Sequence, residues 1–392
     1  MIGLCLAFEQ ENNYGTQLQA FATIEAVKQL GYEYEIIIYH KQYSTIQKIE
    51  QIKRLFYDGT FINMLHGMKR SKLVDQDTPF GRGYRERRKY VKMFKDKYFF
   101  PYATIYTGYN ELVGGVQKYT TVLVGSDQVW LPAGYASKFY NLMFVPDEIA
   151  KVSYASSFGV SNIPSYHLKE AKYFLNRMNY ISVREIRGKE IVESISDNKA
   201  KVVVDPTMLI DRAIWEKMCV PICEKNGYIF CYFLGKRREG REQAIKLKKE
   251  TGLKIIVLKH LDGYIEEDDS FGDEAPFDVG PEKFISYIKN ATYVLTDSFH
   301  GTVFSILFNK KFVTFYRNNP DDALSKNSRI DSLLGLLGLA DRVFSNLDIY
   351  KTIIEEIDYD GVTNKLNSLQ AESRDYLKQA LNSCENRKGT ER

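Results

Sequence analysis

The sequence predicts an α/β protein made of two doubly wound, Rossmann-like domains that face each other across a cleft. Its 392 residues are enough for two separate hydrophobic cores. Short apolar runs alternate with amphipathic stretches along most of the chain, which is typical of βαβ units. Many of the apolar runs end in small or polar residues, as strands do where a doubly wound sheet builds a site.

The first elements form a βαβ unit. An apolar strand over residues 3–8 leads through a turn to a helix over 16–30, and a second strand follows over 34–39. Residues 41–100 are rich in charge and are predicted to be helical. Further strands are predicted at 121–124, 152–155, 180–183 and 202–204. Because parallel strands end at one edge of a sheet, the polar residues that follow these strands are expected to converge.

A second α/β domain is expected to begin near residue 215. Its strands are predicted at 228–234, 254–258, 293–295 and 312–316. A helix is predicted over 284–289, and the pattern is helical from residue 331 onward. We therefore expect an N-terminal domain on the acceptor side over 1–214, a C-terminal domain on the donor side over 215–345, and a helical segment and tail over 346–392.

Composition is that of an ordinary globular protein, with 44% hydrophobic and 27% charged residues. A net charge of +4 on 54 basic and 50 acidic side chains gives no reason to expect a nucleic-acid partner. The most basic segment, residues 82–97, interleaves Lys and Arg with aromatic residues. A solvated helix face and a patch for an anionic acceptor or a membrane surface both remain open.

The cell compartment follows from what the chain lacks. No apolar run approaches the roughly 18 residues that span a bilayer, and no convincing secretory signal is present. The five cysteines form neither a disulfide framework nor a zinc-binding pattern, so no metal is expected. We expect a cytoplasmic protein, at most peripheral at the inner face of the membrane.

The most informative turn lies between the strand at 293–295 and a helix predicted over 302–308. It carries Asp297, Ser298, His300 and Gly301. A helix N-terminus presents unpaired N–H groups to an anion, and a histidine exchanges protons near neutral pH. The turn therefore indicates a phosphate-bearing substrate handled by acid–base chemistry, with a helix cap and a packed histidine as the alternative.

Seven segments, taken in order, resemble the polysaccharide pyruvyl transferase family. They are Asn13-Tyr14-Gly15 with Leu18-Gln19-Ala20, Val124-Gly125-Ser126-Asp127-Gln128-Val129-Trp130, Tyr154-Ala155-Ser156-Ser157-Phe158-Gly159, Ser182-Val183-Arg184-Glu185, Val204-Asp205-Pro206-Thr207, Asp297-Ser298-Phe299-His300-Gly301 and Ser328-Arg329-Ile330. The resemblance runs from about residue 10 to about residue 340.

This resemblance implies a GT-B-like fold and a defined reaction. Members of the family transfer the enolpyruvyl group of phosphoenolpyruvate to a sugar, usually as a cyclic pyruvate ketal across two hydroxyls. The implied role is in bacterial cell-surface polysaccharide synthesis, with a glycan or a lipid-linked oligosaccharide as acceptor and no cofactor besides the donor substrate.

The chemistry needs a general acid, a base for the hydroxyls and cations for phosphate and carboxylate, but no metal. His300 matches the family histidine and is the expected acid. Asp127 is expected to deprotonate the acceptor hydroxyl, although a carboxylate that only caps the turn after Val124 is nearly as consistent. Asn13 and Gly15 are expected to shape the acceptor side of the cleft.

One departure from the family pattern affects the donor site. Some members carry an arginine two positions before the histidine, where this chain has Ser298. Arg184, Lys236, Arg329 or the helix N-terminus would have to replace its bidentate guanidinium.

The residues that could replace the family arginine each have an expected role. Arg184 is expected to bind phosphate or carboxylate, with an ion pair to Glu185 or Asp205 as the alternative. Gly301 and Thr302 are expected to offer backbone N–H groups, and Ser298 a hydroxyl. For Lys236, an anion ligand and an ordinary surface lysine both remain open.

Two other functions share these features. A nucleotide-sugar glycosyltransferase of the same fold would also use the phosphate turn. A non-catalytic carbohydrate-binding descendant is the second alternative, which the serine at 298 mildly favours.

Overall fold

A computed structural model describes residues 1–9, 12–42, 74–224, 226–260, 264–317, 327–345 and 348–389. The part of the predicted helical region that covers residues 43–73 lies outside these ranges.

Strands and helices alternate along the described chain. The strands are β1 (Ile2–Cys5), β2 (Tyr34–His40), β3 (Ala103–Thr107), β4 (Thr121–Val124), β5 (Ala150–Ser153), β6 (Ile181–Val183), β7 (Ala200–Val202), β8 (Tyr228–Tyr232), β9 (Lys254–Val257), β10 (Tyr293–Thr296) and β11 (Lys311–Thr314). The α-helices are α1 (Tyr14–Gln29), α2 (Pro79–Tyr98), α3 (Tyr109–Gly115), α4 (Leu168–Asn176), α5 (Ile186–Ile195), α6 (Pro206–Leu209), α7 (Arg212–Met218), α8 (Glu239–Thr251), α9 (Pro281–Asn290), α10 (Phe299–Leu307), α11 (Ser328–Leu337), α12 (Ile349–Ile354) and α13 (Tyr359–Gly389). Short 3-10 helices lie at Phe100–Tyr102, Val116–Lys118, Pro132–Ser137, Ser165–His167, Glu266–Asp268 and Ala340–Arg342.

Two parallel sheets form the framework. The N-terminal sheet has the strand order β3-β2-β1-β4-β5, and single bridges from Val152 and Ser156 connect β5 to the β6-β7 pair. The C-terminal sheet has the order β11-β10-β8-β9. All the pairings within them are parallel. This confirms the predicted class of two doubly wound domains in a GT-B-like arrangement.

Most predicted strands are present, and the differences have physical causes. β5 and β7 each begin and end two residues earlier than predicted. Single hydrogen bonds continue past both strand ends, from the Tyr154 N–H to the Val124 carbonyl and from the Val203 N–H to the Val183 carbonyl, and burial alone does not mark where a strand stops. β3 was not predicted, because this edge strand is mixed in burial, with Tyr106 buried and Ile105 and Thr107 exposed, and it lacks an apolar run.

Helices from each half of the chain pack on the other half. On α1, Tyr14 stacks on Phe284 at 4.8 Å between ring centroids and donates its hydroxyl to the Val279 carbonyl at 3.0 Å. On α13, the Tyr376 hydroxyl donates to the Ser153 carbonyl at 3.2 Å, beside the N-terminal sheet. These contacts fix the cleft between the sheets.

The basic segment forms most of α2, and its cations divide into two groups. Arg87 and Lys95 are buried and donate to the backbone carbonyls of Lys259 and Glu9 at 2.6 and 2.7 Å. The exposed cations are Arg82, Arg85, Arg88, Lys89, Lys92 and Lys97. None of the helices within the described ranges is both long and apolar enough to cross a bilayer.

Candidate functional site

The candidate site is a cavity of about 370 Å³ between the two sheets. The N-termini of α1 and α10 meet at its floor. Its N-terminal side includes Glu9, Asn13, Thr16, Tyr39, Lys41, Asp127, Gln128, Phe139 and Tyr140. Its C-terminal side is lined by Leu234, Ser298, Phe299, His300, Arg317 and Arg329.

The first turn of α10 satisfies its own backbone. Ser298 is the N-cap, and its Oγ accepts a hydrogen bond from the Gly301 N–H at 3.3 Å. The Thr302 N–H donates to the Ser298 carbonyl at 2.9 Å, and the Thr302 hydroxyl is paired with Thr314 at 2.9 Å. The expectation that Gly301 and Thr302 present N–H groups to a phosphate is therefore wrong, because the helix cap already uses both.

His300 is held on two sides. Its Nε2 lies 3.6 Å from Asp205 Oδ1, within ion-pair distance but longer than a hydrogen bond. On the other side it packs against Gly15, where a Cβ atom would lie only 2.0 Å from the imidazole Nδ1. The side chain is 6% exposed and still lines the cavity. Gly15 thus has a concrete role, since only a residue without a side chain fits against the ring.

Asp205 is a fully buried carboxylate with a complete set of donors. It accepts from the Thr207 N–H and hydroxyl at 3.0 and 2.7 Å, from Ser126 Oγ at 3.0 Å and from Arg184 Nη1 at 2.9 Å. Burial alone would raise the pKa of Asp205, but the charges of His300 and Arg184 and these hydrogen bonds lower it well below its usual range. Asp205 is therefore ionised beside the histidine. In the sequence, Asp205-Pro206 indicates a rigid turn as readily as a site.

Asp127 borders the cavity from the N-terminal side in a left-handed backbone conformation, with φ of 77°. It accepts hydrogen bonds from Thr16 Oγ1 at 2.6 Å and from the Gln128 N–H at 2.8 Å. Burial would raise the pKa of Asp127, but Arg184 and His300 lower it overall. The carboxylate is thus ionised and borders the cavity, as a base for the acceptor hydroxyl would. It also accepts a hydrogen bond from the next residue's N–H, as a turn cap would, so the geometry is consistent with both interpretations.

Arg184 is buried in an ion-pair cluster, with its side chain 1% exposed. It lies 2.9 Å from Asp205, 3.4 Å from Asp127 and 3.7 Å from Glu185. Its guanidinium sits 4.7 Å from the centroid of the Phe299 ring, and it is not part of the cavity lining. The geometry corresponds to the ion-pair alternative, because carboxylates of the protein already surround the charge.

Arg329, at the start of α11, is less closely compensated, because the charges of Glu185 and Asp127 act on it but neither carboxylate lies within ion-pair distance. No hydrogen bond or ion pair joins it to a described residue, and its buried Nε has no partner. Its guanidinium lies 5.8 Å from the Phe299 ring centroid and borders the cavity. Burial, followed by the charges of Arg184 and Arg317, lowers the pKa of Arg329 to about 9, so it remains charged at neutral pH.

Arg317 is a cleft residue that the sequence analysis did not identify. It follows β11, and its Nη2 donates to the Asp297 carbonyl oxygen at 3.2 Å. The Asp297 carboxylate lies 3.9 Å from Arg317 Nε and accepts the N–H groups of Leu234 and Gly235 at 2.6 and 2.7 Å. The position of Arg317 just after β11, a strand of the C-terminal sheet, is the sequence feature that could have identified it.

The remaining predicted residues divide between the cleft and the surface. Asn13 caps α1 by accepting from the Gly15 N–H at 2.9 Å, and it lines the cavity. Lys236 is exposed and is not part of the lining, so the structure places it as a surface lysine.

Aromatic rings form the N-terminal wall of the cavity. Phe139 lies 5.6 Å from Tyr39 and 4.9 Å from Tyr140, measured between ring centroids. Local sequence patterns do not predict this wall, because Tyr39 of β2 and Phe139 are distant in the chain. Within the described ranges, no three His, Cys, Asp or Glu residues are grouped to hold a metal ion.

Comparisons with known proteins identify a family and several similar structures. The family model for polysaccharide pyruvyl transferase matches residues 13–319. A structure from Listeria monocytogenes, assigned as a UDP-N-acetylglucosamine 2-epimerase, is 9% identical, with a TM-score of 0.49 and coverage of 97% of this chain and 90% of that chain. The UDP-N-acetylglucosamine 2-epimerase from Rickettsia bellii is 13% identical, with a TM-score of 0.47 and coverage of 98% and 97%. The glycosyltransferase SnogD from Streptomyces nogalater is 10% identical, with a TM-score of 0.42 and coverage of 97% and 98%. No protein of curated function matches the sequence.

Proposed function

Since the chain belongs to the polysaccharide pyruvyl transferase family, we propose that it transfers pyruvate from phosphoenolpyruvate to two hydroxyls of a sugar as a cyclic ketal. The observation that carries this proposal is the position of His300, held at the cavity floor between the ionised Asp205 and Gly15. A histidine so placed supplies the proton that the reaction needs.

The reaction balances without an oxidant, a reductant or a metal. The methylene carbon of phosphoenolpyruvate gains a proton, which makes the central carbon electrophilic. One sugar hydroxyl adds to that carbon and loses its proton. The bond from the central carbon to the phosphate oxygen then breaks, and the second hydroxyl closes the ring while its proton passes to the departing phosphate. The products are the ketal and inorganic phosphate.

His300 acts as the general acid in this scheme. The carboxylate of Asp205 lies 3.6 Å from Nε2 of the imidazole. Gly15 keeps the ring from turning away, because it packs against Nδ1. The ring is thereby oriented before the donor arrives, which reduces the cost of reaching the transition state.

Asp127 is the base for the attacking hydroxyl. Its carboxylate is ionised, borders the cavity from the N-terminal domain and is oriented by Thr16. It therefore faces a substrate across the cavity from the donor side. A base and an acid on opposite domains suit a reaction in which two substrates meet between them.

The acceptor is a glycan or a lipid-linked oligosaccharide, bound on the N-terminal side. Tyr39, Phe139 and Tyr140 offer apolar ring surface to sugar C–H groups, and Glu9 and Lys41 offer charge and hydrogen bonds to hydroxyls. The enzyme would act in the cytoplasm in bacterial cell-surface polysaccharide synthesis. The exposed cations of α2 suit a peripheral contact with an anionic membrane surface at its inner face.

The proposal is tested by assaying purified full-length protein with phosphoenolpyruvate and a panel of aryl hexosides with free hydroxyl pairs. Mass spectrometry would detect a product that has gained pyruvate less one water. His300→Gln should lower the rate by about 100-fold to 10,000-fold, the range for loss of a general acid. His167→Gln is the matched control, because His167 is equally buried and lies outside the cavity lining.

Two outcomes would contradict the assignment. Undiminished turnover by His300→Gln would remove His300 as the acid. Transfer from a nucleotide sugar, with none from phosphoenolpyruvate, would favour the glycosyltransferase alternative.

A further inference from the structure

We propose that Arg317 and Arg329 form the anion site of the cavity and hold the phosphate group of the donor, while Arg184 does not contact substrate. The identity of the donor rests on the proposed function. The location of the anion site rests on geometry alone.

Carboxylates of the protein already neutralise the charge of Arg184. Arg184 is surrounded by Asp205, Asp127 and Glu185, all within 4 Å, so its positive charge is already compensated inside the protein. A further anion there would have to approach these carboxylates, at a cost in repulsion. Arg184 is therefore a positioning residue that orders the two carboxylates around His300.

Arg329 has a buried donor without an acceptor among the described residues. It lacks an ion-pair partner among the described residues, its Nε donor is buried without an acceptor, and two other guanidiniums lie close enough to disfavour its charge. A half-buried cation with unused donors costs stability unless something occupies the site. Arg329 borders the cavity, from which a ligand can bring the missing acceptor.

Arg317 and Ser298 contribute further hydrogen-bond donors to the cavity. Arg317 donates one hydrogen bond to the Asp297 carbonyl and lies 3.9 Å from the Asp297 carboxylate, but its Nε is buried without a hydrogen-bond partner. Ser298 Oγ accepts the Gly301 N–H, which leaves its own hydrogen for a ligand. Both residues line the same cavity as Arg329 and His300.

These groups match a phosphate better than a carboxylate. Two guanidiniums and a hydroxyl supply several donors and about two positive charges, which suits three oxygens carrying close to two negative charges. A phosphate bound there would leave from beside the arginines, and their charge would stabilise it as the leaving group. The arginine absent at Ser298 is thus replaced in space by residues that follow it in the chain.

The test is isothermal titration calorimetry of the full-length protein with phosphoenolpyruvate, inorganic phosphate and pyruvate. Arg317→Gln and Arg329→Gln should each weaken phosphoenolpyruvate and phosphate by about 10-fold to 100-fold, the usual effect of losing a charge-assisted hydrogen bond. Pyruvate, which lacks phosphate, should be unaffected. Arg238→Gln is the matched control, since its side chain is 74% exposed on the same domain.

Thermal unfolding without ligand separates a binding role from a structural one. Arg329→Gln should not lower the unfolding midpoint, because the native side chain has no protein ion pair to lose and has like charges nearby. A clear fall would indicate a structural role and overturn the proposal. Arg329→Lys, which keeps the charge but not the planar fork, should retain intermediate phosphate affinity if the glutamine variant folds poorly.

The remaining outcomes distinguish this proposal from the proposed function. Unchanged affinity for phosphoenolpyruvate in both glutamine variants would overturn the anion site and leave the proposed function standing. Phosphate binding that depends on both arginines, without binding of phosphoenolpyruvate, would support the anion site and overturn the proposed function. Parallel loss of pyruvate binding would assign the pair to the carboxylate, and no binding of any anion by the wild type would overturn the site.

Discussion

At the residue scale, Arg184 and Arg329 differ in whether carboxylates of the protein neutralise their charge. Arg184 and Arg329 are the same residue type and both lie against Phe299, but only Arg184 has carboxylate partners. A buried charge that is paired inside the protein orders its partners, whereas an unpaired charge at a cavity is a candidate for binding a ligand of opposite charge. The family segments contain both arginines and do not distinguish these roles.

Asp205 is the residue whose charge has the largest expected effect on stability. Asp205→Asn would leave Arg184 and His300 without their shared carboxylate, and breaking a buried pair in this way should cost about 3 kcal/mol near pH 7. The pKa of Asp205 is lowered in the folded state, so its carboxylate stabilises the fold above its unfolded pKa of about 3.9. This contribution is lost as pH falls below that value towards the folded pKa.

Urea unfolding at several pH values checks this. The difference in unfolding free energy between wild type and Asp205→Asn should be greatest near neutral pH and should narrow below about pH 4. Asp211→Asn, at an exposed helix cap, should change stability little throughout. A difference that stays constant with pH would refute the electrostatic account of Asp205.

At the element scale, the site is formed where two helices begin. α1 starts in the N-terminal domain at Tyr14, and α10 starts in the C-terminal domain at Phe299. Their first turns meet at Gly15 and His300 without room for a side chain. Neither helix alone carries a site, and the imidazole is oriented only when the two are packed together.

Gly15→Ala tests this contact. A Cβ atom would meet the imidazole at 2.0 Å, so the ring or α1 has to move. We expect a loss of about 1–3 kcal/mol in unfolding free energy and about 100-fold in turnover, since a shift of about 1 Å displaces the acid. Turnover assays and urea unfolding would measure both effects.

Gly335→Ala is the control for this substitution. Gly335 lies exposed in α11 with no atom within 4 Å of the added Cβ, so it should be tolerated or slightly stabilising. Full turnover by Gly15→Ala would show that the contact does not hold the acid in place.

At the scale of the whole molecule, the two sheets are tied into one unit. A single buried cluster contains Leu4 and Leu18 of the N-terminal half together with Phe230 and Val303 of the C-terminal half. Trp215 takes part in it, with Phe21 at 5.6 Å and Phe304 at 5.0 Å between ring centroids. Separating the sheets would expose this apolar surface to water.

We therefore expect the chain to unfold in one transition. Trp130 is buried in the N-terminal core and Trp215 at the junction, and the chain has no other tryptophan. Fluorescence of Trp130→Phe then reports the junction, and fluorescence of Trp215→Phe reports the N-terminal core. In each variant the urea midpoint by fluorescence should coincide with its own midpoint by far-UV circular dichroism. Midpoints that separate would show that the halves unfold independently.

The sequence by itself determined the alternation of strands and helices, the two-sheet class and the turn that carries His300. Periodicity, turn residues and capping signals are local, so they can be read without a structure. Only the tertiary structure decided that His300 faces Asp205, that Arg184 is neutralised and that Arg317 reaches the cavity. These residues follow strands of different sheets, and the packing of the sheets brings the carboxyl ends of those strands together across the cleft. Electrostatic pairing depends on distance in space, which local patterns do not encode.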